Sequence, residues 1–422
     1  MQELAILGGP PAVTNPLKLS NIIGEEERLA VDAVMQSGIL SGFYGSPGPE
    51  FFGGPQVIEL ESKWAKMFSV KHAISVNSGT SGLVAALGAV GIGPGDEVIV
   101  PSTTMSATAI APLAYGAIPV FSDIEKDTFC LDLEYVESVV TPRTKAVIVV
   151  NLFGHPAQLR LLRDFCDKHN IYLIEDNAQG LLAKEDGHLA GTVGHIGVFS
   201  LNYHKHIHCG EGGICVTNSP ELALRLQCLR NHGENYTESD RSRPNAFGFN
   251  WRLPELSAAV ALVQLEKLDR LTERAQHIGQ FFSQECSGLV GLTPPLTRKG
   301  CSHAYYVWAA KFHEKEAGIS REAFSKALAA EGFPHSVGYV KPLYLLPIFQ
   351  QRTGVGQSGF PLREATTSYA PGLCPVAERL YNHELILFEC CLYSIDKATL
   401  GQMANAIHKV HSLRHKLVGL EL

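Results

Sequence analysis

Residues 171–217, "IYLIEDNAQGLLAKEDGHLAGTVGHIGVFSLNYHKHIHCGEGGICVT", decide the fold, because they contain three β-rich runs and the polar segments that follow two of them. The runs are "IYLIED", "IGVFS" and "GICVT". The first ends in "EDNAQG", and "LNYHKHIHCGEGG" lies between the other two. Short runs rich in Val and Ile are typical of strands that are buried on both faces.

The same alternation extends back to about residue 70, through the runs "HAISV", "DEVIV", "IPVFS" and "KAVIVV". Segments with helical periodicity separate most of them. Strands that alternate with helices predict an α/β fold with a mainly parallel, seven-stranded sheet covered by helices on both faces. Two helices are predicted before the sheet, over residues 25–37 and 56–69, with the aromatic loop "SGFYGSPGPEFFGG" between them.

A long helical pattern begins after Leu253, with Pro254 near its first turn. We interpret this helix as a connection between two domains. Beyond about residue 300, the segments "AYYVWAAKF", "SREAFSKALAAEG" and "DKATLGQMANAIHKV" predict a smaller α+β domain. The expected division is an N-terminal arm and large domain over residues 1–250, and a connecting helix and small domain over residues 251–422.

The composition is typical of a protein that acts on small molecules. The 422 residues carry a formal net charge of −7, with 35 basic and 42 acidic side chains mixed along the chain, so no basic surface is expected to bind nucleic acid. The amino terminus lacks a signal-peptide pattern, and no apolar run is long enough to span a membrane. The ten cysteines lack metal-binding spacing. We therefore expect a cytoplasmic enzyme with reduced thiols.

Three segments contain candidate functional residues. "NSGTSGLVAAL", residues 77–87, follows a predicted strand and opens a predicted helix, so it is either an anion-binding turn or an ordinary capped turn. Asp176 ends a predicted strand, where parallel sheets bind ligands, although an Asp at this position is often only a cap. Lys205, after the next predicted strand, is either a Schiff-base nucleophile or a solvated surface side chain.

His204, His206 and His208 alternate around Lys205, so an extended backbone would place all three on one face. Such a face resembles a metal site, but no carboxylate or cysteine has matching spacing, and the flanking glycines indicate a turn. Packing or substrate contact is the favoured interpretation of these histidines.

The order of the three segments indicates the cofactor. An anion-binding turn, a strand-end carboxylate and a lysine together match the phosphate, pyridine nitrogen and aldehyde of pyridoxal 5'-phosphate (PLP). With these features the chain resembles the DegT/DnrJ/EryC1/StrS sugar aminotransferases, which have fold type I. The matching segments are "SGTSGL", "GDEVIVPSTTMSATA", "EDNAQ", "FSLNYHKHIHCGEGG", "FGFNWRLPELSAA" and "CPVAERL".

The resemblance implies a role for each matching residue. Lys205 forms the Schiff base, Asp176 pairs with the pyridinium nitrogen, and Gln179 bonds near the cofactor hydroxyl. Thr80, Ser81 and Ser200 hold the phosphate, and Asn250 reaches it from the partner chain of a homodimer with shared active sites. Gly79, Asn202 and Met105 complete the expected cofactor-binding set. Met105 stands where the family usually has an aromatic ring.

The implied activity is the transfer of an amino group from glutamate or glutamine to a keto-sugar, nucleotide-linked or free, or to a keto-cyclitol, by a ping-pong mechanism. The carboxyl-terminal stretch "LILFECCLY" differs from the family's usual "LPMHP"-like sequence and is expected to border the acceptor. Two alternatives stay open: a sugar dehydratase of the same fold, a branch that carries histidine in place of the lysine, and a PLP-binding regulator without turnover.

Overall fold

The computed structural model describes residues 3–234 and 247–419. Its strands are β1 (Lys18–Leu19), β2 (His72–Val76), β3 (Glu97–Pro101), β4 (Ile118–Ser122), β5 (Thr144–Val150), β6 (Tyr172–Asp176), β7 (Lys184–Glu185), β8 (His188–Leu189), β9 (Ile196–Ser200), β10 (Gly213–Thr217), β11 (Leu292–Thr293), β12 (Cys301–Ser302), β13 (Trp308–Phe312), β14 (Ser336–Val337), β15 (Leu385–Phe388) and β16 (Tyr393–Ser394).

The α-helices are α1 (Glu25–Ser37), α2 (Pro55–Met67), α3 (Gly79–Ala89), α4 (Ala107–Ile110), α5 (Leu133–Val139), α6 (Leu159–His169), α7 (Pro220–Arg230), α8 (Glu255–Glu266), α9 (Leu268–Glu285), α10 (Glu314–Ala317), α11 (Arg321–Ala330), α12 (Pro347–Gln350), α13 (Pro375–Arg379) and α14 (Lys397–Leu413). None of the helices in the two described ranges is long and apolar enough to cross a membrane.

Seven strands form the central sheet, in the order β2-β10-β9-β6-β5-β3-β4. Only β10 runs against its neighbours, so the sheet is mainly parallel, and the predicted fold class is confirmed. Every residue of β3, β4, β9 and β10 is buried. Helices cover both faces: along β10, Ile214 packs into one hydrophobic cluster and Cys215 into the other. This two-sided burial explains why these strands are continuous apolar runs in the sequence.

A second, antiparallel sheet lies in the carboxyl-terminal part, in the order β11-β13-β15-β14. Side chains along β15 alternate between two cores. Leu385 and Leu387 face the core of the central sheet, while Ile386 and Phe388 face the core around α9, α11 and α14. One face of this smaller sheet is therefore directed toward the large sheet.

The amino-terminal residues pack against this smaller core. Leu4 and Val13 are buried in it, and the backbone N–H groups of Ala5 and Ala12 donate to the two carboxylate oxygens of Glu331, at 2.8 and 2.9 Å. Glu331 is itself fully buried. Leu4 and Val13 therefore pack in the same core as α14.

The region that the sequence predicts as a single helix after Leu253 forms two helices, α8 and α9, which meet at Lys267. The Lys267 ammonium lies 2.6 Å from the carboxylates of both Glu26 and Glu27 in α1. Glu27 also accepts hydrogen bonds from the Gly24 backbone at 2.7 Å and from the Gln264 side chain at 2.7 Å. Burial alone would raise the pKa of Glu27, but these partners lower it to about 2.

Candidate active site

Polar side chains converge at the carboxyl-terminal edge of the parallel strands, where open α/β sheets bind their ligands. The ends of β5, β6 and β9 and the segments after β2 and β3 enclose a cavity of about 280 Å³. Eight of the predicted site residues line it: Gly79, Thr80, Met105, Asp176, Gln179, Ser200, Asn202 and Lys205. The fold therefore brings together segments that are more than a hundred residues apart in the sequence.

Asp176 is the last residue of β6 and is buried. One carboxylate oxygen accepts a hydrogen bond from the Thr108 hydroxyl at 3.0 Å, and the other accepts from the Ala178 backbone at 3.2 Å. Burial raises the pKa of Asp176, while these two donors and the positive charge of Lys205 act in the opposite direction. An ionised carboxylate has about four acceptor positions, so two bonds leave Asp176 with capacity toward the cavity.

Lys205 lies in the turn after β9, where its backbone N–H donates to the carbonyl oxygen of Asn202 at 3.0 Å. Its ammonium nitrogen is 4.6 Å from the centre of the Tyr306 ring and 3.5 Å from the Tyr306 hydroxyl. Burial lowers the pKa of Lys205, and the negative charge of Asp176 opposes this change. A lysine with a lowered pKa is a better nucleophile, because more of its amine is neutral.

The amino terminus of α3 forms one end of the cavity. Its first-turn backbone N–H groups, at Gly79 and Thr80, have no intrahelical acceptor, and the Thr80 and Ser200 hydroxyls lie nearby. A Cβ atom added to Gly79 would come within 3.0 Å of the Ser200 Cβ, so this position favours glycine. Ser81 does not line the cavity; its hydroxyl donates to the Asn77 side chain at 2.6 Å.

Hydrogen bonds to two residues hold the side chain of Gln179. Its amide oxygen accepts from the Phe153 backbone at 2.7 Å, and its amide nitrogen donates to the Tyr339 hydroxyl at 3.0 Å. Tyr339 has a backbone φ of 66°. A bulky residue rarely adopts this left-handed conformation, and such strain is often found at functional sites.

Two predicted residues lie at or beyond the edge of the site. Met105 lines the cavity with 61% of its surface exposed, so its thioether is at the opening. Asn250 does not line the cavity. It is exposed, pairs with Asn231 through an isolated β-bridge, and its side-chain oxygen accepts from the Arg252 backbone at 3.4 Å.

Two of the histidines around Lys205, His206 and His204, have different surroundings. His206 is buried, and its Nε2 hydrogen-bonds to the Ala304 carbonyl oxygen at 3.1 Å. His204 lines the cavity, and burial together with the charges of Lys205 and His208 lowers its pKa to about 4. Within residues 3–234 and 247–419, no group of three or more His, Cys, Asp or Glu side chains is arranged to hold a metal ion.

Comparison with known proteins identifies the family. The model of the DegT/DnrJ/EryC1/StrS aminotransferase family matches residues 21–385. The chain belongs to this family. The predicted family and enzyme class, a PLP-dependent transaminase, are thereby confirmed.

The names of individual relatives agree with this assignment. The chain is 34% identical to an L-glutamine:2-deoxy-scyllo-inosose aminotransferase of Streptomyces kanamyceticus, over 86% of this chain and 87% of the relative. It is 35% identical to a dTDP-3-amino-3,4,6-trideoxy-alpha-D-glucose transaminase of Streptomyces venezuelae, over 77% and 82% of the two chains. The crystal structure of S. venezuelae DesV with a ketimine intermediate superposes with a TM-score of 0.76 at 30% identity, covering 94% and 95%.

The residues of the cavity fit the PLP that this family uses. The side-chain oxygens of Thr104 and Asn202 are buried and have no hydrogen-bond partner within the described part of the chain, although both residues line the cavity. A phosphorylated, hydroxylated pyridinium ring presents the donors, acceptors and charges that such groups require. The donor set matches it, because the cavity has hydroxyls and backbone N–H groups at the amino terminus of α3 together with a carboxylate and a lysine.

Sequence reasoning missed several residues of this family member's site. Thr108 bonds to Asp176, Tyr339 bonds to Gln179, and Tyr306 covers Lys205. Glu211 lines the cavity and accepts a hydrogen bond from the Asn202 side chain at 2.7 Å. Gly338, which precedes Tyr339 and has a φ of 78°, is a sequence signal of a turn there.

Proposed function

We propose that the chain binds PLP and transfers an amino group from glutamate or glutamine to the carbonyl carbon of a keto-sugar or keto-cyclitol. The relatives from S. kanamyceticus and S. venezuelae support this acceptor class, since their names specify a cyclitol ketone and a deoxysugar. The single observation that carries the proposal is the presence of Lys205 and Asp176 in one cavity, each close enough to change the pKa of the other.

In this proposal, the bound cofactor supplies an electron sink for the bonding electrons of the substrate carbon. Asp176 keeps the pyridine nitrogen protonated, and Thr108 and Ala178 fix the direction of its carboxylate. The Gly79 and Thr80 amides and the Thr80 and Ser200 hydroxyls bind the phosphate.

Lys205 would hold the cofactor through its Nζ atom, and its free amine would carry a proton at that atom. The Tyr306 ring packs against that amine, with its centre 4.6 Å from Nζ. Since burial raises the pKa of Tyr306 well above its usual range, its hydroxyl stays protonated and can donate a hydrogen bond to the neutral amine. The lysine at this position also favours amino transfer over the dehydratase alternative.

The test is covalent trapping combined with a half-reaction. Borohydride reduction of the PLP-loaded protein should attach the cofactor to the peptide that contains Lys205, as measured by mass spectrometry. Lys205→Ala should retain its fold, judged by circular dichroism, and lose both the attachment and the spectral change that an amino donor produces. Lys145→Ala, at an exposed lysine, is the matched control. Cofactor attached to another lysine in the wild type would refute the assignment.

We also propose a homodimer in which Asn250 completes the phosphate site of the partner. Two observations support it: Asn250 lies outside the cavity of its own chain, and several large apolar side chains between residues 29 and 58 are exposed. The exposed side chains are Leu29, Met35, Ile39, Leu40, Tyr44 and Ile58. A two-fold axis would let each chain contribute to both sites.

Mixed dimers test this arrangement. Lys205→Ala and Asn250→Ala chains, co-expressed with two affinity tags, should form dimers in which one site carries both changes and the other carries neither. Their activity should exceed that of both parent homodimers. Mixed dimers that never surpass the better parent would place Asn250 outside the partner's site.

A further inference from the structure

Gln179 has a buried side-chain amide whose two ends are held by different parts of the chain. Its Oε1 atom accepts a hydrogen bond from the Phe153 backbone at 2.7 Å, and its Nε2 atom donates to the Tyr339 hydroxyl at 3.0 Å. A backbone N–H can only donate, so the oxygen of the amide must face Phe153. The amide therefore has one defined orientation, in which Nε2 keeps a second hydrogen for a ligand.

The two residues that hold Gln179 also contact each other. The ring centres of Phe153 and Tyr339 are 4.9 Å apart, in an edge-to-face arrangement. Both residues have a left-handed backbone, with φ values of 58° and 66°. This conformation is rare for a bulky residue, and it persists only where the surrounding structure enforces it. Two strained residues on either side of one amide indicate that the fold fixes its orientation.

Tyr339 reaches the cavity from the smaller, antiparallel sheet. It follows β14, which pairs with β15, and the Gly338 backbone N–H donates to the Leu385 carbonyl oxygen at 3.1 Å. A Cβ atom added to Gly338 would come within 2.7 Å of the Tyr381 carbonyl oxygen, so this turn favours glycine. The turn that carries Tyr339 is thereby fixed relative to β15.

Gln179 and Tyr339 both line the cavity. Burial raises the pKa of Tyr339 to about 12, while the hydrogen bond from Gln179 acts in the opposite direction, so the hydroxyl is neutral near pH 7. In the proposed function, the amino terminus of α3 binds the phosphate and Asp176 binds the ring nitrogen. The ring oxygen of PLP is the polar group that remains for the free N–H of Gln179.

We propose that Tyr339 is a positioning residue: together with Phe153 it holds the Gln179 amide so that the second Nε2 hydrogen is available to the ring oxygen of bound PLP. The inference rests on the proposed binding of PLP. Tyr339 acts through Gln179 and does not itself bind the cofactor. Because hydrogen bonds to a cofactor change its electronic properties, the small sheet then helps to tune a cofactor that the central sheet binds.

The test is a double-mutant cycle on the PLP-loaded protein. Wild type, Tyr339→Phe, Gln179→Ala and the double variant are titrated with acid and base while the absorbance of the bound cofactor is recorded, and equilibrium dialysis gives the Kd of PLP. Tyr339→Asn is a second variant without the hydroxyl, because asparagine tolerates a left-handed backbone. Tyr344→Phe is the matched control, since the Tyr344 hydroxyl donates to Glu378 and lies outside the cavity.

An N–H donor stabilises the negative form of the ring oxygen, so its loss should raise the pH midpoint of the absorbance change. Gln179→Ala should raise this midpoint by about one unit, and both Tyr339 variants by about half a unit or more. The Kd of PLP should rise about fivefold in Gln179→Ala and about two- to fivefold in the Tyr339 variants. The double variant should resemble Gln179→Ala, and Tyr344→Phe should resemble wild type.

Midpoints and Kd values that stay at the wild-type level in both Tyr339 variants would overturn the inference. Additive shifts in the double variant would also overturn it, because Tyr339 would then act independently of Gln179. A shift of the same size in Tyr344→Phe would show a general effect of losing a tyrosine hydroxyl, which contradicts a positioning role. A wild type that binds no PLP would refute the proposed function, and this inference with it.

Discussion

Replacement of Asp176 by Asn tests the electrostatic part of the site without removing its shape. The amide oxygen of Asn can keep the hydrogen bond from the Ala178 backbone, and its NH₂ group can donate to the Thr108 hydroxyl, which then acts as the acceptor. The substitution should lower the free energy of unfolding by the contribution of one neutral hydrogen bond, about 1 kcal/mol. The protein should therefore fold and retain PLP.

The effect of the substitution on the reaction rate should be larger. Asn cannot supply the negative charge that holds a proton on the pyridine nitrogen, and a charged hydrogen bond contributes about 1.5–3 kcal/mol. At about 1.4 kcal/mol for each factor of ten, the first half-reaction should slow by about 10-fold to 150-fold.

Single-turnover absorbance measures the rate, and equilibrium dialysis measures cofactor affinity. Thr108→Val is the matched control, because it removes one donor to Asp176 and keeps the charge; its rate should fall by less than about tenfold. A rate for Asp176→Asn within about threefold of wild type, with PLP fully bound, would contradict the assigned role.

Three further changes probe other contacts. Tyr306→Phe removes the hydroxyl 3.5 Å from the Lys205 amine but keeps the ring, so the half-reaction should slow by about fivefold, the effect of one neutral hydrogen bond; an unchanged rate would exclude this bond. Met105→Phe should tighten PLP binding by about 0.5–1.5 kcal/mol through stacking, and loss of PLP in dialysis would show that the opening requires the thioether. Glu27→Gln should lower the free energy of unfolding at pH 7 by up to about 3 kcal/mol, the equivalent of a pKa of about 2 instead of 4.5. Because the folded-state pKa is the lower one, this contribution is complete above pH 4.5 and is lost as the pH falls toward 2, so the difference in urea unfolding between variant and wild type should shrink in acid; a constant difference would contradict it.

The central sheet was predictable because its strands carry a local signal. The predicted runs at 118–122 and 196–200 coincide with β4 and β9, and "DEVIV" differs from β3 by one residue. Buried parallel strands are continuous apolar runs, and polar residues mark their carboxyl ends. Asp176 and Ser200 could be placed at one edge for this reason, since parallel strands end on the same side.

The residues contributed by the carboxyl-terminal part could not be placed in this way. The segment of Tyr306 is held by backbone hydrogen bonds from Ala304 to Gly154 and from Val307 to Phe153, at 2.8 and 3.1 Å, and Tyr339 has a left-handed backbone. Neither feature leaves a periodic pattern in the sequence. The single predicted helix after Leu253 divides into two at Lys267, where the charged partners are Glu26 and Glu27, more than 200 residues earlier in the chain. Long-range contacts of this kind have no local signal.

The site residues of the central sheet and those of the carboxyl-terminal part have different contacts. This difference bears on how one fold can act on several substrates. The central sheet supplies Asp176, Ser200 and Lys205, which act on the cofactor ring, phosphate and aldehyde in the proposed mechanism. The segment before β13 supplies Tyr306, whose ring centre lies 4.6 Å from the Lys205 ammonium nitrogen. A change in either group should impair the reaction of the cofactor, because loss of the Tyr306 hydroxyl also removes a hydrogen bond to Lys205. Selection for a new donor or acceptor should therefore act on residues outside both groups, and the unusual stretch "LILFECCLY", which begins with β15, is one such segment.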